Sequence, residues 1–167
     1  MIHIGDVEEG YSLVDGYLNP EISGTDSGKK TEKSIIGGII ATALCGAGIS
    51  NDMNATLALL TDYITEPSYS QDIHQVACFA LGLSYIGTHS SEISELILPV
   101  LMDDGYDADT KAMAALTLGM TFAGSCDTTI FSLLIASLDS YNDYSGPQRI
   151  ICVACGLLVL HAKQLPE

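Results

Sequence analysis

The stretch "FALGLSYIGTHSSEISELILPVLMDD" (Phe79–Asp104) is written again 37 residues later as "LTLGMTFAGSCDTTIFSLLIASLDS" (Leu116–Ser140). Each copy holds a glycine inside an apolar run, a second glycine five residues on, a short polar turn and a new amphipathic run. Extended outward, the pattern sets Gly48, Gly87, Gly124 and His161 in one register, at spacings of 39, 37 and 37. Five residues upstream lie Ala43, Gly82, Gly119 and Gly156; nine downstream lie Leu57, Leu96 and Leu133. These registers agree without internal gaps. Self-similarity at a period of 20–50 residues is the signature of a stacked-repeat architecture.

Each unit reads as two helices. The first (Ser34–Cys45, Ser70–Ile86, Asp109–Ala123, Pro147–Leu160) is rich in Ala, Gly, Cys and Leu and apolar nearly all round, so it has to be buried on most sides. A glycine inside it costs roughly 1 kcal/mol of helix propensity against alanine, and its recurrence implies close packing. The second glycine stands where the helix stops and suits a left-handed residue. The second helix (Asp52–Ile64, Ser91–Met102, Thr128–Leu138) is amphipathic; Ser90 or Ser91 is placed to cap the middle one, with Glu92 and Glu95 near its positive end. Pairs of this kind stack sideways into an all-α solenoid. Glu8–Leu18 reads as a second helix without its first, and Arg149–Ala162 as a first without its second. The expectation is therefore one solenoid domain over 1–167 with about four partial or complete repeats, excerpted from a longer array. The polar Asn19–Lys33 segment is expected to be a mobile loop.

Composition narrows the function. Twenty-one acids face six Lys plus Arg, for a net charge of −15, and no Lys or Arg stands between Ser34 and Thr110. Phosphates would be repelled, so nucleic acid is an improbable partner; a basic protein surface would be drawn in. No apolar run reaches the ~18 residues of a membrane span. Five cysteines within apolar segments suit a reducing compartment. His74 and Cys78, four apart, and Cys152 and Cys155, three apart, raise metal or redox chemistry. The repeat assigns them to core slots instead: Cys78 matches Ala115 and Cys152, and Cys155 matches Leu81 and Leu118. No nucleophile, base and orienter set is present, and no phosphate loop. Neither enzyme, metal nor cofactor is expected.

A helix-pair repeat of about 37 residues with "LGLSYIG" and "LGMTFAG" at its first-helix ends resembles the proteasome/cyclosome repeat. "NATLALLTDYI", "LTLGMTFAGSC" and "IGDVEEGYSLVDGYL" resemble, within that family, the large non-ATPase scaffolds of the proteasome regulatory particle base. The resemblance covers nearly all of the chain outside Asn19–Lys33. It implies a segment of a closed toroid, present in cytoplasm and nucleus and mounted on the proteasomal ATPase subunits. Such a toroid docks ubiquitin, ubiquitin-like domains of shuttle receptors and a deubiquitinase. It also implies acidic ubiquitin-binding residues on the helix after "GSC". Some relatives carry acids three, ten and fourteen residues after that cysteine, where this chain has Thr129, Ala136 and Ser140. The nearby acids are Asp127, Asp139 and Asp143, joined on the neighbouring unit by Glu92, Glu95, Asp103 and Asp104; these seven are the expected binding residues. The rival reading is a purely structural segment of the ring.

Overall fold

The computed structural model describes residues 7–18, 32–48, 54–139 and 146–160. They form α1 (Val7–Leu18), α2 (Glu32–Gly46), α3 (Ala55–Thr65), α4 (Gln71–Ser84), α5 (Ser91–Met102), α6 (Ala108–Thr121), α7 (Thr128–Asp139) and α8 (Gly146–Leu158), with no strand among the described residues. Boundaries fall where the chemistry places them. Ser70 caps α4 by accepting from the Ile73 amide, and 37 residues on Asp107 caps α6 by accepting from that of Thr110. Ser90 occupies the cap of α5 without a side-chain bond to it, so the expected serine cap does not form. The expected loop at 19–33 lies outside the described residues except for Glu32 and Lys33, which open α2.

The first helices α2, α4, α6 and α8 stack side by side into one continuous row, and α1, α3, α5 and α7 pack on it as a second layer. This is the all-α, solenoid-like arrangement that the repeat implies. The row is tight because its contact positions are small. A methyl built on Gly82 would meet Thr117 Cα at 2.9 Å, and one on Gly119 would meet Ala154 Cα at 2.6 Å. Leu81, Leu118 and Leu158 are wholly buried around these approaches, and polar side chains bond to the neighbouring backbone. The Thr117 hydroxyl donates to Cys78 O at 2.7 Å, and that of Ser84 to Ala43 O at 3.1 Å.

Two features depart from the sequence reading. The packed pair is not the first helix with the second helix that follows it: α3 packs mainly on α4, α5 on α6 and α7 on α8. Turns at 66–70 and 103–107 lead from α3 and from α5 into the first helix that each packs on. The register also carries a shift. Fully or nearly fully buried positions of the second layer are Thr56, Leu60 and Ile64 in α3, Ile93, Ile97 and Leu101 in α5, and Ile130 and Leu134 in α7, a spacing of 37 throughout. First helices α2 and α4 keep 39, as Gly48 and Gly87 show with φ of 74° and 69°. Two extra residues therefore lie between Gly48 and Thr56, and Leu57, Leu96 and Leu133, equivalent by spacing, do not form one buried stripe.

The left-handed glycines stand past the helix ends and join units. Gly87 follows the C-cap Tyr85 by two residues; its amide donates to Met120 O at 2.9 Å, and the amide of Gly124 donates to Leu157 O at 3.0 Å. Two residues on, His89 and Cys126 are also left-handed, with φ of 56° and 54°. Their amides donate to Thr121 O at 3.0 Å and Leu158 O at 3.1 Å. Each of these two turns thus supplies two donors to carbonyls in the last turn of the next first helix.

Candidate docking surface

The seven acids expected to bind are held in different ways. Glu92 and Glu95 lie on the solvent side of α5, on one strip with Pro99 and Met102, because positions three, seven and ten residues apart fall on one side of a helix. Met102 is 57% exposed, an apolar spot between the two glutamates and the acids that follow. Glu92 Oε2 accepts from Asn54 Nδ2 at 2.6 Å, which ties the α5 strip to the turn before α3. Glu95 makes no hydrogen bond or ion pair among the described residues. Asp103 caps the C-terminal end of α5, its amide donating to Pro99 O, while its own Oδ1 accepts from the Gly105 amide at 2.9 Å. Exposed Asp104 pairs with Lys111 Nζ at 3.0 Å.

Asp127 has a different task. Its Oδ1 accepts from the amides of Thr129 at 2.8 Å and Ile130 at 3.1 Å, so this half-buried carboxylate caps α7 and stands at the positive end of its dipole. Asp139 closes α7 with its side chain outside the described residues, and Asp143 lies outside them altogether. In register with Glu92, Glu95 and Pro99, the α7 strip presents Thr129, Ser132 and Ala136 to solvent. Acidic character is therefore concentrated on α5 and its flanks, where Asp62 and Glu66 of the preceding unit are also exposed. Sequence reasoning passed over Asp62 and Glu66, although the 37-residue spacing matches Glu66 to Asp103.

The thiols separate by depth. Burial pushes Cys78 up to about 12 and raises Cys45 and, with the neighbouring Cys152 adding to it, Cys155. Cys152 is exposed although its register partners Cys78 and Ala115 are fully buried. The core slot expected for it needs a further helix beyond α8, and none lies there among the described residues. His74 is buried, its Nδ1 2.9 Å from Tyr63 O and its ring edge-on to Tyr106. No group of three or more His, Cys, Asp or Glu is placed to hold a metal ion among the described residues, and no described helix is long and apolar enough to cross a membrane.

No protein-family model matches the chain. Over 104 residues, 62% of its length, it is 27% identical to 26S proteasome non-ATPase regulatory subunit 2 of Dictyostelium discoideum. The matched span is 10% of that relative. That relative is a proteasome regulatory subunit, and the match does not point to subunit 1 in particular.

Proposed function

We propose that this chain is a non-catalytic scaffold segment of the proteasome regulatory particle, one run of proteasome/cyclosome repeats spanning 1–167 within a larger toroid. Its similarity to a non-ATPase regulatory subunit supports the scaffold role. Within that family, "LLTDY" and "GSC", which lie outside the repeat consensus, favour subunit 1 over subunit 2. Proteasomal ATPase subunits are then its structural neighbours, in cytoplasm and nucleus.

The finer reading is that the segment docks ubiquitin, ubiquitin-like domains of shuttle factors or a deubiquitinase. One observation carries it: exposed Met102 lies along α5 between Glu92 and Glu95 on one side and Asp103 and Asp104 on the other, an apolar spot bracketed by acids that complements a basic-rimmed apolar patch. Of the seven acids, Glu92, Glu95 and Asp103 form the centre of this surface. Asp104 and Asp127 stand at its margin, and Asp139 and Asp143 are candidates from the sequence alone.

A purely structural segment is the second reading, favoured by Asp127 being committed to its helix cap and Asp104 to Lys111. Amide shifts during titration with ubiquitin and, separately, with a ubiquitin-like domain decide between them. The docking reading expects shifts over Ser91–Gly105 that weaken with added salt and vanish in Glu92→Lys/Glu95→Lys. Shifts absent at high micromolar ligand leave the structural reading.

A further inference from the structure

The methionines of the described residues differ in access. Met102, the last residue of α5, is 57% exposed, whereas Met120 is 7% exposed and Met113 packs half-buried against the core. The Met120 Cε lies in the close approach of α4 and α6, 2.5 Å from where a methyl on Gly82 would stand. The openness of Met102 belongs to its place in the repeat. Thr65, 37 residues earlier at the end of α3, is exposed as well, although the turn at 103–107 closes on that helix end, the Tyr106 hydroxyl donating to Ile64 O at 3.1 Å. Val100 and Leu101 are buried and fasten the end of α5 to the core. The Met102 thioether is thus a large apolar group that the fold does not use, set along α5 between Glu95 and the Asp103–Asp104 pair.

We propose that Met102 is a reversible oxidation site through which hydrogen peroxide weakens docking at the α5 surface, an inference that rests on the docking reading. The sulfur lone pair forms an S–O bond to one oxygen of the peroxide as the O–O bond breaks. The thioether is oxidised by two electrons to the sulfoxide, and the other oxygen leaves as water with both peroxide protons; reductases specific for each sulfoxide epimer reverse the change. The product is polar where the surface had an apolar spot, and its oxygen is an acceptor placed among carboxylates that are acceptors already. A basic-rimmed partner keeps its charge contacts but has to strip water from the sulfoxide to seat its apolar patch, with no donor in that patch to replace it. The effect falls on the lifetime of the complex more than on encounter, because the charges that steer the partner are unchanged. Met113 and Met120, whose oxidation would disturb the core, are shielded by the packing that builds the array.

The test exposes the intact chain to hydrogen peroxide, stops the reaction with catalase and treats the product with a dithiol, which returns disulfides and sulfenic acids at the cysteines to thiols and leaves the sulfoxide in place. Peptide masses followed over time are expected to gain one oxygen at Met102 roughly tenfold or more faster than at Met113 or Met120. Urea midpoints of the treated and untreated chains are expected to coincide. Amide-shift titration with ubiquitin then reads docking. The treated chain and Met102→Gln are expected to bind at least roughly fourfold more weakly than the untreated chain, the factor for one buried CH2, and Met102→Leu to keep its affinity through the peroxide treatment. Equal affinities of the treated and untreated chains, or oxidation of Met113 or Met120 ahead of Met102, overturn the inference and leave the docking reading standing. A treated Met102→Leu chain that loses as much affinity as treated wild type overturns it too, since the cause then lies at another residue. An untreated chain that gives no shifts overturns the docking reading itself, and the switch falls with it.

Discussion

Gly119 and Ala154 approach so closely that a methyl on the glycine would lie 2.6 Å from Ala154 Cα and 2.8 Å from its carbonyl oxygen. The obstacle is backbone, which cannot swing aside. Gly119→Ala gains roughly 1 kcal/mol of helix propensity and meets overpacking of about 1–3 kcal/mol or more, so the net effect expected is destabilisation. Gly156→Ala makes the same change at the equivalent place, where nothing among the described residues lies within 4 Å of the added methyl, and is expected to stabilise the fold by up to ~1 kcal/mol. Urea unfolding of the two variants at low concentration checks the opposed signs.

Thr117 and Thr121 lie four residues apart on α6, both fully buried, with opposite fates. Thr117 donates to Cys78 O, while the Thr121 hydroxyl has no partner among the described residues. Thr121→Val is expected to raise stability by about 1 kcal/mol, since it removes a desolvated hydroxyl without loss of a bond. Thr117→Val is expected to lower it by a similar amount. Equilibrium unfolding of both variants measures the contrast.

Because the Asp127 carboxylate accepts from two amides of α7, its replacement acts on folding before it acts on any ligand. Asp127→Ala is expected to cost about 0.5–2 kcal/mol, and Asp127→Asn to retain most of the cap. Thermal unfolding ranks the two; a ligand titration on Asp127→Asn then reads any effect of the lost charge by itself.

Cys78 holds its proton to about pH 12 when folded, against an ordinary thiol value of 9.0. A folded pKa raised by burial leaves stability complete below pH 9 and removes it as pH climbs toward 12, because the unfolded chain gives up a proton that the native one keeps. The loss approaches ~1.4 kcal/mol per pH unit. Cys78→Ala is expected to flatten the alkaline limb between pH 9 and 10 relative to wild type, as read by urea midpoints across that range.

The repeated glycines, the apolar first helices and the 37-residue period made the stacked architecture legible in the sequence, since each reflects a contact that recurs unchanged from unit to unit. What stayed hidden has physical causes. The shift between Gly48 and Thr56 is masked because α3 carries leucines on several sides, so a stripe two residues out of place still looks apolar. The pairing of α5 with α6 was invisible because periodicity fixes the order of helices and not which neighbour each one packs on. Cys152 was assigned to the core by its equivalents, which cannot reveal that no helix covers it among the described residues. For the candidate surface, sequence located the acids; only geometry separated Asp127, bonded into its own helix, from Glu95, which is not.

The amides of Gly87, His89, Gly124 and Cys126 all cross from one unit to the next. A tension applied along the array is borne by these backbone bonds and the glycine approaches in series, two bonds at the α4–α6 junction and two at the α6–α8 junction. Junctions in series yield in succession, and each 37-residue unit that comes free releases roughly 130 Å of chain at about 3.5 Å per residue. The array is in this sense a spring with discrete stops, in which a single released unit absorbs a pull that would otherwise reach its neighbours.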